Sequence, residues 1–334
     1  MHTPGLQAAV VRRGELVYAE SFGAANKETG EKMTDEHFIM IGSVAKLMTV
    51  TLVYQFVDRG MVDLDADINT YLSWNVRNPD FPDRSITMRD LLKHQSGILD
   101  NWFYLFDFFP DRSPLSLDDF LMEYLLPGGS LYSKENWSQK FQSGEKEFYS
   151  NTGMTLAASV LEHAAGKSYE EIYKEYLALP LDMDGVWQPA DLEDRPAASG
   201  HELNGTPLQP LSMYHWPAGS FLTTAKDFAK FLGIYTNKGY FQETRIISES
   251  AIEEMTTLSS IGPTIGIGWE KIPISINGRE IWGHGGKFFG YKAMAAVDFS
   301  NQTGIILLTN GDSMDSYAFY ELMRIFFNFE WEGK

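Results

Sequence analysis

The spacing of hydrophobic positions changes twice along the chain. Apolar and β-branched residues first form short strand-like runs, at residues 6–11, 15–22 and 38–41. After Gly42, apolar residues recur every three or four positions until Gly60, which predicts a helix that ends there. This helical spacing continues over most of the middle of the chain, and it predicts further helices at 86–93, 116–125, 154–165, 169–177 and 224–235.

Long connections rich in Pro, Gly, Asp and Ser separate these helices, at 74–84, 107–115, 127–146 and 188–221. Loops of this length usually carry function or line a site. The strand pattern returns at 265–272, 274–282, 291–299 and 304–310, and an amphipathic helix is predicted at 316–329. Asn277-Gly278 and Ser300-Asn301 are typical of the hairpin turns between such strands.

Strands at both ends with helices between them predict an α+β fold, an α/β sandwich. One antiparallel sheet is expected to combine N- and C-terminal strands, flanked by helices, with an inserted all-helical lobe. We place the discontinuous sheet domain at 1–60 and 256–334 and the mainly helical lobe at 61–255. Because clefts form where two such lobes meet, the active site is expected between them.

Composition narrows the classes of function. The 334 residues carry a net charge of −18, which argues against generic binding to nucleic acid or anionic membranes. The absence of cysteine excludes disulfides, thiolate catalysis and Cys-based zinc sites. Neither His94 nor His215 has a convincing partner in the sequence, and no convergent ligand set is visible. We therefore expect no metal and no cofactor, and a small-molecule substrate.

The start of the chain, Met1 to Gly5, has neither a basic flank nor an extended apolar core, so it is not expected to be a signal peptide. No apolar run is long enough for a transmembrane segment. Two locations stay open: a cytoplasmic protein, or a periplasmic or secreted one whose export signal has been removed. The sequence does not determine the oligomeric state.

Ser43-Val44-Ala45-Lys46 is the first candidate for chemistry. On a helix, this spacing places both side chains on one face. The helix N-terminus favours developing negative charge at Ser43, and partial burial would lower the pKa of Lys46 so that it accepts the serine proton. The spacing alone is unspecific, because Ser143-Gly144-Glu145-Lys146 matches it too. That second pair lies in a polar loop, and we expect no catalysis from it.

Tyr149-Ser150-Asn151 is the second candidate. A phenol near an ammonium group can shuttle protons, and an Asn two residues on can hydrogen-bond a substrate amide or the lysine. The alternative is an ordinary turn followed by a helix cap. The spacing also recurs in Tyr235-Thr236-Asn237, so it is not specific by itself.

Gly283-His284-Gly285-Gly286 is the third candidate, predicted between two strand runs. Glycines in such sequence mark a bulge or a close backbone approach. The segment is therefore either a glycine-rich hairpin or an edge strand with which a substrate pairs.

The order and spacing of these three motifs resemble the serine β-lactamase and penicillin-binding-protein superfamily, in particular its branch of class C β-lactamases, D,D-peptidases and family VIII esterases. The resemblance spans nearly the whole chain and implies a β-lactamase/transpeptidase-like fold. Four further stretches support it: Phe38 to Lys46 followed by Gly60 to Asp67, Leu91 to Ile98, Pro217 to Ala225, and Gly266 to Trp269.

The resemblance implies a role for each matching residue. Ser43 resembles the acylated nucleophile, Lys46 its base or proton relay, and Tyr149 the group that protonates the leaving group and activates the deacylating water. Asn151 resembles the residue that orients substrate and lysine. His284-Gly285-Gly286 stands where the family often has Lys-Thr-Gly, which implies an oxyanion hole formed by the backbone N–H groups of Ser43 and Lys287.

Two departures bear on the substrate. His284 and Gly285 replace a lysine and a hydroxyl residue that help hold the substrate carboxylate in β-lactamases and D,D-peptidases. Lys287 and Lys292 are the candidates to bind such a carboxylate instead. Aromatic residues near the motifs are also expected either to line an apolar acyl or aryl pocket or to pack in the core. These aromatic residues are Trp102, Phe103, Tyr104, Phe106, Phe108, Phe109, Tyr214, Trp216, Phe288 and Phe289.

The sequence thus predicts a serine hydrolase that works through an acyl-enzyme, acting on esters or amides with an uncharged, apolar acyl group. Two alternatives stay open. One is a D,D-carboxypeptidase or D-aminopeptidase. The other is a penicillin-binding sensor or scaffold without turnover.

Overall fold

A computed structural model describes residues 3–261 and 265–331 of the chain. Its centre is one antiparallel sheet of seven strands: β1 Gly5–Arg12, β2 Glu15–Asn26, β3 Glu31–Lys32, β4 Glu270–Ile276, β5 Arg279–Phe288, β6 Tyr291–Asp298 and β7 Thr303–Thr309. Across the sheet the order is β4-β5-β6-β7-β1-β2-β3. The last strand pairs with the first, with Ala9 opposite Ile306. This confirms the α+β fold with a sheet built from both chain ends.

Both faces of the central strands are buried, which explains their continuous apolar runs. Ala9 and Val11 of β1 face the main core, whereas Ala8 and Val10 face a second core on the other side. The C-terminal helix covers that second core. The predicted domain boundaries, 1–60 with 256–334 and 61–255, stay a prediction, and residues 1–2, 262–264 and 332–334 lie outside the described residues.

The predicted helices are present, with shifted ends. The helices are α1 Lys46–Asp58, α2 Met88–Leu92, α3 Trp102–Leu105, α4 Leu117–Leu125, α5 Asn151–Ala165, α6 Tyr169–Tyr173, α7 Leu179–Leu181, α8 Ala225–Thr236, α9 Glu249–Met255 and α10 Ser316–Asn328. A π-helical turn, Lys174–Ala178, joins α6 to α7. Thr224 caps α8 by accepting a hydrogen bond from the Asp227 N–H, and Gly166 ends α5 in the left-handed conformation that glycine favours.

Segments of the long loops pair with each other as short β-strands. Ile39–Met40 and Gly185–Val186 flank Leu222–Thr223 in a three-stranded sheet, and Phe108–Phe109 pairs with Ser212–Met213. Two further pairs are formed by Gly200–His201 with Pro207–Leu208 and by Tyr240–Phe241 with Thr244–Arg245. No helix in residues 3–261 and 265–331 is long and apolar enough to cross a membrane.

The strands near the third motif differ from the sequence prediction. Asn277-Gly278 is the predicted turn between β4 and β5, and both residues have positive φ. The break expected after residue 282 is wrong, however, because β5 runs on to Phe288 and contains His284, Gly285 and Gly286 in its interior. Pro273 lies in β4 at a register shift. An edge strand tolerates a proline there, so the proline does not separate two strands.

Candidate active site

Ser43 lies in a short 3-10 turn, Gly42–Ala45, immediately before α1. This turn packs directly on the end of β5. A Cβ atom on Gly42, whose φ is +55°, would lie 2.7 Å from the backbone nitrogen of Lys287, and one on Gly286 would overlap the carbonyl oxygen of Ile41. The two glycines thus allow the close approach of turn and strand, which brings the Ser43 segment against the backbone of Lys287.

Lys46 is the first residue of α1 and is only 1% exposed. Its Nζ donates hydrogen bonds to Ser43 Oγ at 2.8 Å and to the Ala218 carbonyl oxygen at 2.7 Å. Burial lowers the pKa of Lys46 to about 7, and the negative charges of Asp100 and Glu270 oppose that shift. Near neutral pH, therefore, Lys46 can both give up and accept a proton next to Ser43.

The Tyr149 segment ends a long loop at the start of α5. Ser150 is the N-cap of that helix, because its side chain accepts a hydrogen bond from the Gly153 N–H. The motif is thus a helix cap, as its alternative interpretation held, and it also brings the Tyr149 ring to 4.9 Å from Lys46 Nζ. Tyr149 is 41% exposed, yet desolvation raises its pKa above the usual value, and its contact with Ser43 opposes the rise. The phenol is consequently protonated at neutral pH.

Asp100 holds this segment in place and was not identified from the sequence. Its carboxylate accepts hydrogen bonds from the backbone N–H groups of Asn151 at 2.7 Å and Thr152 at 3.1 Å, and from the Ser150 hydroxyl at 3.2 Å. A carboxylate at a helix N-terminus is stabilised by the unpaired N–H groups and the helix dipole. Asp100 therefore fixes the start of α5 and places a negative charge near Lys46.

The imidazole of His94 packs against the ring of Tyr149. The two ring centroids are 4.4 Å apart, and the Ser150 N–H donates to His94 Nδ1 at 3.2 Å. Burial lowers the pKa of His94 to about 3, and Lys46 and His284 act in the same direction. The imidazole is therefore neutral, and Nδ1 is a hydrogen-bond acceptor. The sequence offered no partner for His94 because its contacts come from a segment more than 50 residues away.

The third motif, Gly283 to Gly286, forms one wall of the candidate active site. β4 pairs with β5 only as far as Gly283, opposite Glu270, so the stretch from His284 to Phe288 extends past the end of β4. The sequence left two interpretations of this motif open, a glycine-rich hairpin or an open strand edge. The structure has an open strand edge here and no hairpin within the motif. His284 is buried, and its Nδ1 lies 2.6 Å from the Gly285 carbonyl oxygen. Burial lowers the pKa of His284 to about 4, so this position carries no charge at neutral pH.

Two cavities meet at Ser43. The first, about 450 Å³, is partly polar and is lined by Tyr149, Glu270, His284 and Lys292 among others. Desolvation and the nearby Glu147 raise the pKa of Glu270, which the sequence did not single out. The Nζ of Lys292 donates to the carbonyl oxygens of Asp312 and Met314 at 2.7 and 2.6 Å. Its ammonium group is thus already engaged by backbone carbonyls.

The second cavity, about 460 Å³, is mostly apolar. Besides Ser43 and Asn151, it is lined by Trp102, Phe106, Phe108, Met213, His215, Ala218, Gly219, Lys287, Phe288 and Phe289. Five of the ten aromatic residues expected near the site therefore lie in its wall: Trp102, Phe106, Phe108, Phe288 and Phe289.

The other five aromatic residues do not line this cavity: Phe103, Tyr104, Phe109, Tyr214 and Trp216. Phe103 is 86% exposed, and Tyr104 packs against the main core. Trp216 is buried against Tyr169 and Trp187. Helical spacing explains why Phe103 and Tyr104 are excluded. Trp102 and Phe106 are four residues apart, so they lie on the same face of α3 and both face the cavity, whereas Phe103 and Tyr104 lie on other faces.

The geometry supports nucleophilic chemistry. A hydroxyl, a lysine whose pKa is near neutrality and a protonated phenol meet where the two cavities join. Such a set can activate the hydroxyl, stabilise an acyl intermediate and protonate a leaving group. Within residues 3–261 and 265–331, no group of three or more His, Asp or Glu side chains is arranged to hold a metal ion.

Comparison with known proteins agrees with this architecture. Over residues 1–327 the chain matches the family model described as Beta-lactamase. It is 26% identical over 307 residues to Beta-lactamase-like protein 2 of Dictyostelium discoideum, covering 87% of this chain but only 53% of that protein. It is 27% identical over 341 residues to Penicillin-binding protein 4 of Amycolatopsis lactamdurans, covering 97% and 84%.

A third relative is Teichoic acid D-alanine hydrolase of Staphylococcus aureus, 24% identical over 232 residues, with 67% of this chain and 52% of that protein covered. Among solved structures, a class C β-lactamase superposes with a TM-score of 0.78 at 18% identity, covering 99% of this chain and 92% of the other. That likeness shows the fold. Because the family model covers nearly the whole chain, the protein belongs to the β-lactamase family.

Proposed function

We propose that this protein is a serine hydrolase that forms an acyl-enzyme on Ser43 and acts on esters or amides with an uncharged, apolar acyl group. The observation that carries the proposal is the 2.8 Å hydrogen bond between Lys46 Nζ and Ser43 Oγ, made by a buried lysine whose pKa is about 7. A lysine in this state is partly neutral at physiological pH and can take the serine proton.

The chemistry follows from the protonation states. The proton of Ser43 Oγ passes to Lys46 as Oγ bonds to the substrate carbonyl carbon, and the backbone N–H groups of Ser43 and Lys287 stabilise the oxyanion. The protonated phenol of Tyr149 then gives its proton to the leaving group as the old ester or amide bond breaks. The ionised Tyr149 then takes a proton from a water molecule as that water bonds to the acyl carbon, and the bond to Ser43 Oγ breaks as Lys46 returns its proton to Oγ, which releases the acid. Asn151 orients the acyl group at the cavity junction.

The walls of the site favour uncharged acyl groups. Aromatic side chains line most of the second cavity, and His284 is neutral where the family often carries a lysine. An anionic acyl group therefore finds no lysine ammonium at position 284 to pair with. The ammonium group of Lys292 is engaged by two carbonyl oxygens instead. We therefore expect apolar esters to react faster than substrates whose recognition depends on a carboxylate.

A short-chain 4-nitrophenyl ester tests the proposal. Mixing it rapidly with the protein should release a burst of nitrophenol with an amplitude near one per active site, followed by steady turnover. Ser43→Ala should show neither phase. Equal rates for the two proteins would contradict a Ser43 acyl-enzyme.

A hydrolase of D-amino-acid esters or amides is the second candidate. It is favoured by the similarity to Teichoic acid D-alanine hydrolase. A D-Ala-D-Ala peptide and D-alanyl esters, compared with the apolar ester at equal concentration, separate the two. Faster turnover of the D-alanyl substrates would replace the first proposal.

A sensor or scaffold without turnover would behave differently from both. It would be labelled stoichiometrically by a fluorescent penicillin or phosphonate and would release no product. Sustained product formation from any of the three substrates excludes it.

A further inference from the structure

His215 is a buried polar side chain for which the mechanism above has no use. It is 2% exposed, and its buried Nδ1 has no hydrogen-bond partner within residues 3–261 and 265–331. An unpaired buried polar group destabilises the folded state. Such a group in the wall of a catalytic cavity points to a partner that arrives with the substrate.

The backbone fixes His215 beside the catalytic groups. Its carbonyl oxygen accepts a hydrogen bond from the Ala218 N–H at 3.0 Å, which closes the turn whose Ala218 carbonyl oxygen binds Lys46. The ring lies edge-on to Trp102, with centroids 6.0 Å apart, in the wall of the cavity that Ser43 and Asn151 also line. A substrate acylated on Ser43 would therefore have its acyl group next to this ring.

The surroundings determine which chemical group can bind there. Burial lowers the pKa of His215 to about 4; Asp100 opposes that shift, and Lys46 acts in the same direction. The neutral imidazole has one N–H donor and one acceptor nitrogen. Among the described residues that line this cavity, the exposed Lys287 is the one that carries a charge. Moving an ionised acyl group from water to these aromatic rings would cost much hydration free energy. An uncharged amide or hydroxyl costs far less to desolvate, and it would gain a hydrogen bond to the imidazole of His215.

We propose that His215 is a specificity-determining residue of the acyl cavity and hydrogen-bonds an uncharged amide or hydroxyl carried by the acyl chain. This inference rests on the proposed function and narrows its substrate class. The preferred acyl group is then mainly apolar with one uncharged polar group, not a plain alkyl chain. Sites that hydrogen-bond a substrate group reject analogues without it far more strongly than apolar pockets reject a missing methylene.

Two matched pairs of 4-nitrophenyl esters test the proposal. One pair is the N-acetylglycinate and the pentanoate, of equal chain length with and without an amide; the other is the 6-hydroxyhexanoate and the hexanoate. The readout is the ratio of kcat/KM for the polar ester to that for the apolar ester. In His215→Leu we expect this ratio to fall about 10-fold or more for at least one pair. His215→Gln, which keeps a donor and an acceptor, should restore part of it.

Tyr214→Phe is the control, because it removes a hydroxyl from the adjacent side chain, which does not line the cavity. It should leave both ratios unchanged. Thermal unfolding verifies that each variant is folded, and a ratio of two substrates on one protein is independent of how much of it is active. Ratios within twofold of wild type for both pairs in His215→Leu would overturn the proposal. Absence of hydrolysis of every ester by the wild type would instead overturn the proposed function.

Discussion

Two segments of this chain share the Ser-x-x-Lys spacing but differ in everything around it. Ser43 and Lys46 lie where a 3-10 turn runs into α1, and the buried Lys46 bonds both Ser43 Oγ and a backbone carbonyl. Ser143 and Lys146 lie in a loop. There Ser143 Oγ is buried and has no hydrogen-bond partner in the part of the chain that the structure describes, and the exposed Lys146 extends over the rings of Phe141 and Phe148.

The comparison shows what converts the spacing into a candidate nucleophile. A helical turn is needed to place the two side chains on one face, and burial is needed to lower the pKa of the lysine. Only the first pair has both. Exchanging or removing members of the two pairs therefore gives the clearest tests of the site.

The largest difference is expected between Ser43→Ala and Ser143→Ala. Loss of the nucleophile should lower kcat/KM for the preferred ester by at least about 10⁴-fold, as it does in known serine hydrolases. Ser143→Ala should retain wild-type activity, because among residues 3–261 and 265–331 that hydroxyl has no hydrogen-bond partner and does not line either cavity. Steady-state kinetics on both purified variants, with equal thermal unfolding, provides the measurement. Comparable losses in both would show that the spacing was assigned to the wrong pair.

Removing the lysines should give the next largest difference. Lys46→Met keeps an apolar stem in the buried site but removes the base, which should reduce kcat by about 10²–10⁴-fold. Lys146→Met should have kinetics like those of the wild type. Retention of more than a tenth of the activity in Lys46→Met would mean that another group takes the serine proton.

The pH dependence sharpens the role of Lys46 further. If its neutral amine is the base, kcat/KM should rise about tenfold per pH unit at low pH and level off above about 7, where the amine is deprotonated. His94 and His284, with pKa values of about 3 and 4, are already neutral over that range. The profile is measured with an ester whose leaving group does not titrate. A profile that falls through pH 7 would contradict a neutral Lys46 as base.

The smallest effect concerns Asp100. Its charge raises the pKa of Lys46, so Asp100→Asn should move the rise in kcat/KM to lower pH. Loss of the carboxylate at the start of α5 should also reduce the free energy of unfolding by about 1–3 kcal/mol. The exposed Asp83→Asn is the matched control and should change neither. A pH profile unmoved in Asp100→Asn would show that the two groups are not electrostatically coupled.

The sequence predicted the parts of the molecule that depend on local pattern. Alternating and helical spacing gave the sheet from both chain ends and most helices, because periodic burial leaves a periodic sequence. Ser43, Lys46, Tyr149, Asn151 and His284 were singled out by motif and order. The structure brings them together around the junction of two cavities.

What the sequence missed depends on contacts between distant segments. The Ala218 carbonyl that binds Lys46 is 172 residues away, and Asp100 reaches Asn151 across 51. Backbone acceptors and single carboxylates in loops leave no periodic signal. The extent of β5 was missed for a similar reason, because glycines that permit a close approach look like a turn until the neighbouring segment is known.

The central claim is that a covalent intermediate forms on Ser43, and intact-protein mass spectrometry tests it most directly. The protein is quenched in acid during turnover of a slowly hydrolysed 4-nitrophenyl ester and then digested and mapped. We predict a mass increase of one acyl group, located on the peptide that contains Ser43 and absent in Ser43→Ala. Turnover without any such adduct, or an adduct on the Ser143 peptide, would contradict the account.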